Sequence, residues 1–527
     1  MHTLRLDDRP VSTAATFVYR LVPWLISALA IAVIWPTYLA GWQGDDMYYS
    51  LLNGTLEADH VSLGSTMQHA FQLWFFGNGR FYPGSILEKY VVFHIFTNLV
   101  AYKTFLVIMT LLALEAFRRC VAVYSTIAVA NFAALLACAL FQERRYHDSI
   151  IAYNAMPQSI CISLAVSMIA YRRSLLGFGK GYLLVALVLY LFSAVTYEDV
   201  YLLAVLFVPL SLSLGRRWRT SCKDALPFVA IAVIFVVVAI VSRASSPLDA
   251  TSTYAANAKA QSVARTAAYQ ITAGFPLMYY IADPSGIFGR SNIVEFTRNA
   301  PISPWLFVAF AFVGFFTVLG VRGETLEPRR LLFIGALVAV LPAVPIAFLN
   351  KYQAELRPGL GYLPVFLQVF GVAMLEAAAA FAIKPGHRKM VYVMTVATLI
   401  AVIGSMTAAA NLRLGRELAA SGVARESLVA SVRTGMLAGV PDGTAISFQP
   451  EQAWVAYDGE GPDGISSRGL FYMSGHRRVR LVPPEKERCG NLVLKYDAAS
   501  TSWTTQPVRT VGAAPENEQR AVRCRNR

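Results

Sequence analysis

The chain has 527 residues, of which 56% are hydrophobic and only 15% charged, and its mean hydropathy is +0.49. Soluble domains carry nearer a quarter charged residues, so this composition excludes an ordinary globular protein. The net charge of +14 is not a nucleic-acid footprint, because the basic residues sit in short clusters between apolar runs and form no stripe with interleaved aromatics.

A membrane span needs about 20 mostly apolar residues to cross about 30 Å of hydrocarbon. In chain order, candidates lie near 18–40, 102–117, 121–141, 157–171, 181–197, 200–214, 225–242, 303–320, 331–349, 360–383 and 390–410. The sequence therefore predicts an all-α polytopic membrane protein with about eleven transmembrane helices, over 1–410, followed by a small soluble domain containing β-strands, over 411–527. The run 21–40 is longer than the apolar region of a signal peptide, and Trp24, Trp35 and Pro36 suit a permanent span. The stretch 86–100 is apolar but interrupted by Glu88, Lys89, His94 and Asn98, and reads as an interfacial helix.

Lys and Arg in the connecting loops set orientation. Arg118 and Arg119; Arg172, Arg173 and Lys180; Arg216, Arg217, Arg219 and Lys223; Arg322, Arg329 and Arg330; and Lys384, Arg388 and Lys389 all fall on one side of an eleven-span map. Arg5, Arg9 and Arg20 of the N-terminus join them, and that side is cytoplasmic. The C-terminus then lies outside.

The outer loops are unequal. Residues 41–101 form a long first loop with an amphipathic flavour, and 243–302 form a second rich in Ala, Ser and Tyr. Beyond the last span, 412–437 reads as a helix leading outward, and Thr444–Phe448 and Asn491–Tyr496 read as strands. Cys489 and Cys524, the tail's two cysteines, are positioned to pair in an oxidising compartment or to stay free thiols. Cys120, Cys138, Cys161 and Cys222 read as small apolar residues, and no C-x-x-C spacing occurs. Trp454, Tyr457, Tyr472 and Trp503 are candidates for stacking on sugars, with the tail's own core as the preferred reading.

Ionisable groups are costly in a membrane and mark function. Five clusters gather at the outer ends of the spans. Gly44-Asp45-Asp46-Met47-Tyr48-Tyr49 offers two carboxylates that serve as a base, as metal ligands, or as a helix start. Gly77–Gly84 places Arg80 in a tight loop, where a guanidinium binds phosphate or snorkels to headgroups. Arg144-Arg145-Tyr146-His147-Asp148 supplies another carboxylate, with His147 lacking any partner at metal-ligand spacing. Tyr197-Glu198-Asp199 sets two carboxylates in a turn at the membrane edge. In Lys351–Gly359, Lys351 and Arg357 are placed to hold a lipid phosphate or simply to anchor headgroups.

The joint pattern resembles the GT-C superfamily of membrane glycosyltransferases, in which the first outer loop opens on an acidic pair soon followed by an aromatic. Here these are Asp45-Asp46 with Tyr48 and Tyr49. The Gly79-Arg80-Phe81-Tyr82-Pro83 segment looks like a stretch of the Gtr-type glucosyltransferases that decorate bacterial surface polysaccharide. The layout extends over 1–410, and the tail has no match. The resemblance implies a polyprenyl-phosphate-linked sugar donor, a cell-envelope glycan or glycolipid acceptor, and a site at the outer leaflet of the bacterial cytoplasmic membrane. It implies Asp45 as the catalytic acid-base residue with Asp46 in support. Asp148 and Glu198 match by loop rather than by motif. Arg80, Lys351 and Arg357 are then the donor-phosphate ligands. Tyr48, Tyr82, Tyr197, Asp199 and His147 are candidates for contacts to the sugar or acceptor. A divalent cation, Mg2+ or Mn2+, is a candidate cofactor with Asp45 and Asp46 as ligands.

Two other readings stay open. A secondary transporter or flippase would place polar groups at midspan, but these spans are nearly free of charge (Glu376 excepted) and show no matching halves. An O-antigen polymerase or ligase would use Arg144, Arg145 and His147.

Overall fold

A computed structural model describes residues 13–145, 147–247, 254–279, 302–321, 328–383, 388–448, 468–475, 479–482, 492–497 and 499–507. The expected cysteine pair, Trp454 and Tyr457 lie outside these residues.

Each candidate span falls largely on helix: α1 Thr13–Ile34, α6 Leu99–Tyr124, α7 Ile127–Ala139, α8 Met156–Leu175, α9 Lys180–Thr196, α10 Phe207–Leu212, α11 Trp218–Ser245, α13 Pro304–Val321, α14 Pro328–Val340, α17 Val365–Ala382 and α18 Lys389–Arg433. Among the described residues six helical stretches are long and apolar enough to cross a membrane: Leu21–Tyr38, Leu99–Tyr124, Trp218–Ser245, Pro328–Ala347, Val365–Ala382 and Lys389–Arg433. The chain is a multi-pass membrane protein. The six fall short of the eleven expected for physical reasons. α7 has 13 residues, about 20 Å at 1.5 Å per residue. The 200–214 run is divided between a 3-10 segment, Glu198–Leu206, and the six-residue α10. The outer faces of the bundle expose Trp24, Trp305, Phe333 and Val391, as a lipid-facing surface does.

The first outer loop folds into four helices: α2 Asp46–Tyr49, α3 Leu52–Asp59, α4 Leu63–Gln72 and α5 Pro83–Ile95. The 86–100 stretch breaks because the Asn98 side chain accepts the backbone N–H of Val100 and Ala101, at 2.9 and 3.1 Å, and so caps α6. With 13 residues, α5 is too short to span. Between α11 and α13 lies α12, Ala260–Thr272; between α14 and α17 lie α15, Ala343–Ala347, and α16, Asn350–Glu355.

α18 runs 45 residues without interruption, about 68 Å. It is twice as long as a bilayer core is thick and runs on past residue 410. Beyond it, β1 Ala445–Phe448, β2 Arg480–Val482, β3 Leu492–Asp497 and β4 Ser502–Pro507 form one sheet in the order β2-β1-β3-β4. The first two pairings are parallel and the β3–β4 pair is antiparallel, with Tyr496 opposite Trp503. Helix α19, Arg468–Gly475, connects the parallel β1 and β2.

Two large apolar cores result. One fills the bundle, where the rings of Phe207 and Phe228 stack at 3.6 Å beneath Tyr171 and Tyr190. The other joins the first outer loop to the tail: Tyr49, Leu52, Trp74 and Phe93 share it with Leu428, Ile446, Phe471 and Trp503. Trp503 is 5% exposed and its indole N–H donates to Ala424 O at 2.7 Å, so it is a core residue rather than a free sugar platform. α3 and α19 cross at Gly54 and Gly469. A Cβ at Gly54 would lie 2.3 Å from Gly469 O, so this crossing admits no side chain.

Candidate active site

A cavity of about 270 Å³ forms where the 41–101 loop meets residues 153–156, Tyr197, Tyr254, Lys351 and 362–363. Every segment lining it (41–101, 153–156, Tyr197, Tyr254, Lys351 and 362–363) belongs to a loop or helix end opposite the basic loops.

The acidic pair divides its roles by burial. Asp45 is exposed to the cavity; it is the N-cap residue of α2, its carbonyl accepting the N–H of Tyr48 and Tyr49 at 3.0 and 3.2 Å, while its side chain makes no capping hydrogen bond. Asp46 is 1% exposed. Its Oδ1 accepts the backbone N–H of Tyr153 at 2.9 Å, and its Oδ2 accepts the Tyr102 hydroxyl. Lys103, fully buried and donating to Ile151 O at 2.8 Å, is a further charge nearby. Burial pushes the Asp46 carboxyl up to about 7, against the pull of Tyr102 and Lys103.

Three cations line the same cavity. Arg80 Nη2 meets Glu198 Oε1 at 2.9 Å and the Tyr197 hydroxyl at 3.3 Å, and the other Glu198 oxygen takes Arg243 at 3.3 Å. The Arg80 guanidinium lies 4.9 Å from the Tyr82 ring centre and 5.4 Å from that of Tyr254. Its Nε is buried without a hydrogen-bond partner. Gly79 sets this position: its φ is +62°, and a Cβ there would stand 2.8 Å from Arg243 Cα. Lys89 donates to the Tyr49 hydroxyl, and Lys351 lies 5.7 Å from the ring centres of Tyr254 and Tyr362. Cationic and aromatic groups so arranged suit a phosphate joined to a sugar.

The other expected residues fall elsewhere. Asp148 Oδ1 accepts the backbone N–H of Ile150 and Ile151, both at 2.6 Å, and Oδ2 that of Arg144. It ties the backbone of Arg144 to that of Ile150 and Ile151 and does not line the cavity; burial raises its carboxyl to about 6. His147 hydrogen-bonds the Tyr153 hydroxyl behind the cavity wall. Burial, aided by Lys351, lowers its imidazole to about 3, so it is neutral at pH 7. Glu198 pairs with Arg80, and Asp199 is buried beside it with its carboxyl held well above the usual range by burial. Arg357 is exposed away from the cavity, and Tyr48 is half-buried outside it. Tyr82 and Tyr197 do line it.

The sequence reading missed Trp74, Lys89, Tyr153, Asn154, Tyr254 and Tyr362 as cavity residues. Lys89 and Lys103 carried a usable signal, a charge inside an apolar run. The aromatics carried none in a chain so rich in them.

As metal ligands the pair is lopsided. Both Asp46 oxygens already accept hydrogen bonds, and among the described residues no group of three or more His, Cys, Asp or Glu could hold an ion.

Neither a protein-family model nor a curated protein matches the chain. Among solved structures, ArnT from Cupriavidus metallidurans bound to undecaprenyl phosphate is similar over 89% of this chain and 86% of that one, at 12% identity and a TM-score of 0.42. At that score the likeness carries no argument, and the functional reading rests on this chain's own side chains.

Proposed function

We propose that this protein is a membrane glycosyltransferase of GT-C type. It moves a sugar from a polyprenyl-phosphate donor to a cell-envelope glycan or glycolipid, at the outer face of the cytoplasmic membrane and with inversion. The N-terminus lies inside and the tail outside, as the basic loops predict. The observation that carries this reading is one exposed carboxylate, Asp45, in the same cavity as Arg80, Lys89 and Lys351. A base and a phosphate cradle within one pocket are what transfer from a sugar phosphate needs.

In the step, an acceptor hydroxyl oxygen attacks the anomeric carbon while Asp45 takes its proton. The bond from that carbon to the phosphate oxygen breaks, and its electron pair leaves on polyprenyl phosphate. The transition state is oxocarbenium-like, so a carboxylate opposite the leaving group serves as base in an inverting reaction. Arg80, Lys89 and Lys351 stabilise the charge growing on phosphate. Asp46 holds the 153–155 backbone beneath, and Glu198 fixes Arg80. Asp45 with the donor's own phosphate oxygens is the ligand set available to Mg2+ or Mn2+. The three cations supply the same charge without an ion, and we take that as the working arrangement.

Two observations weigh against a polymerase or ligase. The Arg144 guanidinium donates to Leu360 O at 3.1 Å and Ala273 O at 2.7 Å, and Arg145 pairs with Glu417 at 3.2 Å, so both are engaged outside the cavity. The test is transfer in proteoliposomes from a panel of radiolabelled polyprenyl-phosphate sugars to a membrane lipid extract, with and without EDTA. Label should reach a new product in both conditions. Loss with EDTA would restore the metal. Vesicle transport of a lipid-linked sugar with no covalent product would establish the flippase reading instead.

A further inference from the structure

Three consecutive residues, Tyr153, Asn154 and Ala155, have φ of 63°, 46° and 63°, and the first two line the cavity. None is glycine, and a run of left-handed residues costs on the order of 1–2 kcal/mol per residue. Such strain persists only where the surroundings over-determine it, and it gathers at ligand sites. Here the surroundings are identifiable. Asp46 accepts the Tyr153 N–H, and the Tyr102 hydroxyl, itself bonded to Asp46, accepts the Asn154 N–H at 3.0 Å. The acidic pair's buried member thus pins this turn by its backbone.

What the turn presents is the Asn154 side chain. Asn154 lines the cavity and is 3% exposed, yet its amide Nδ2 has no hydrogen-bond partner. A buried, unsatisfied donor costs about 1–3 kcal/mol, and each one in a native structure asks for an explanation. The cavity also holds cations enough for a phosphate. A neutral amide, able to donate and accept, matches a hydroxyl, which can do both. Asn154 belongs to the acidic-pair network, not to the Arg80–Glu198 pair.

We propose that Asn154 is a donor-binding residue whose side-chain amide donates a hydrogen bond to one hydroxyl of the lipid-linked sugar, on a strained turn that Asp46 holds in place. The inference rests on the transferase reading for the identity of the ligand, but its test is binding rather than turnover.

The experiment uses the full chain in nanodiscs. Affinities are measured for undecaprenyl phosphate and for undecaprenyl-phosphate glucose, galactose, mannose and N-acetylglucosamine, with wild type and Asn154→Gly. Glycine adopts positive φ freely, so this variant removes the amide while relieving the turn. Wild type should bind at least one sugar-bearing lipid more tightly than undecaprenyl phosphate. Asn154→Gly should lose about tenfold in affinity for it, as one hydrogen bond is worth, with undecaprenyl phosphate binding unchanged. Single-deoxy analogues of that sugar supply a second readout. One of them should weaken wild type about tenfold and leave Asn154→Gly indifferent. An unchanged sugar preference in the variant, an equal loss for both lipids, or a wild type with no sugar preference would each overturn the proposal. If wild type binds and discriminates the sugar but transfers none of it, the transferase reading fails and the Asn154 contact stands.

Discussion

The two ends of the helical bundle carry their charges in opposite ways. At the basic end, ion pairs are local in sequence and partly open to solvent. Arg118 and Arg119 reach Glu115, three and four residues back, at 2.7 and 2.6 Å, and Arg216 reaches Asp224 at 2.7 Å. At the cavity end, Arg80 and Glu198 are 118 residues apart in sequence and both nearly fully buried, with Arg243 closing the triad. A short, exposed pair forms wherever the loop happens to run and is worth about 0–1 kcal/mol. A buried pair assembled from distant segments pays a desolvation cost, so its persistence signals a job beyond stability. The first arrangement is written in short sequence spacings; the second exists only in the fold.

That contrast can be broken by mutation, and the largest effect should come from Glu198. In Glu198→Gln the guanidinium of Arg80 stays buried without its counter-charge, and unfolding in detergent should show a loss on the order of 3–5 kcal/mol. Wild-type stability in this variant would mean that the triad is ornamental. Next comes Arg80→Lys, which keeps charge but not the planar fork. It should weaken donor binding by about one to two orders of magnitude while leaving the fold intact.

A third prediction concerns pH. Burial raises the carboxyls of Asp46 and Glu88 to about 7 and that of Asp148 to about 6. In the native state each therefore holds its proton to higher pH than in the unfolded chain, so stability is full below the ordinary carboxyl range near 4 and declines as pH rises toward 7. The unfolding midpoint should fall between pH 5 and pH 8, and Asp46→Asn should flatten that slope. A midpoint that rises over this range would contradict the burial. The smallest effect belongs to the other end: Arg119→Ala should change stability by less than about 1 kcal/mol and leave transfer untouched.

The sequence made one half of this legible. Apolar runs located every span candidate on helix, because hydropathy over about 20 residues is a one-dimensional property. The alternating runs at 444–448 and 491–496 found two strands for the same reason, observed at Ala445–Phe448 and Leu492–Asp497. Asp45, Asp46, Arg80, Tyr82, Tyr197 and Lys351 were also legible, as polar groups beside apolar segments. Three things were not. The shared core of loop and tail depends on Gly54 meeting Gly469, a contact no pattern announces. The strained turn at 153–155 has no glycine to mark it. And the sorting of like residues, Asp45 exposed and Asp46 buried, Lys351 lining the cavity and Arg357 outside it, is decided by side-chain direction, not by residue type.

The central claim is that adjacent aspartates do different work, Asp45 as base and Asp46 as clamp. Single-turnover transfer by Asp45→Asn, measured beside donor affinity and unfolding midpoint, tests it most directly. The account predicts a rate lower by at least about a hundredfold, with affinity and midpoint near wild type. Full transfer by Asp45→Asn, or a rate loss matched by a collapse in stability, would contradict it.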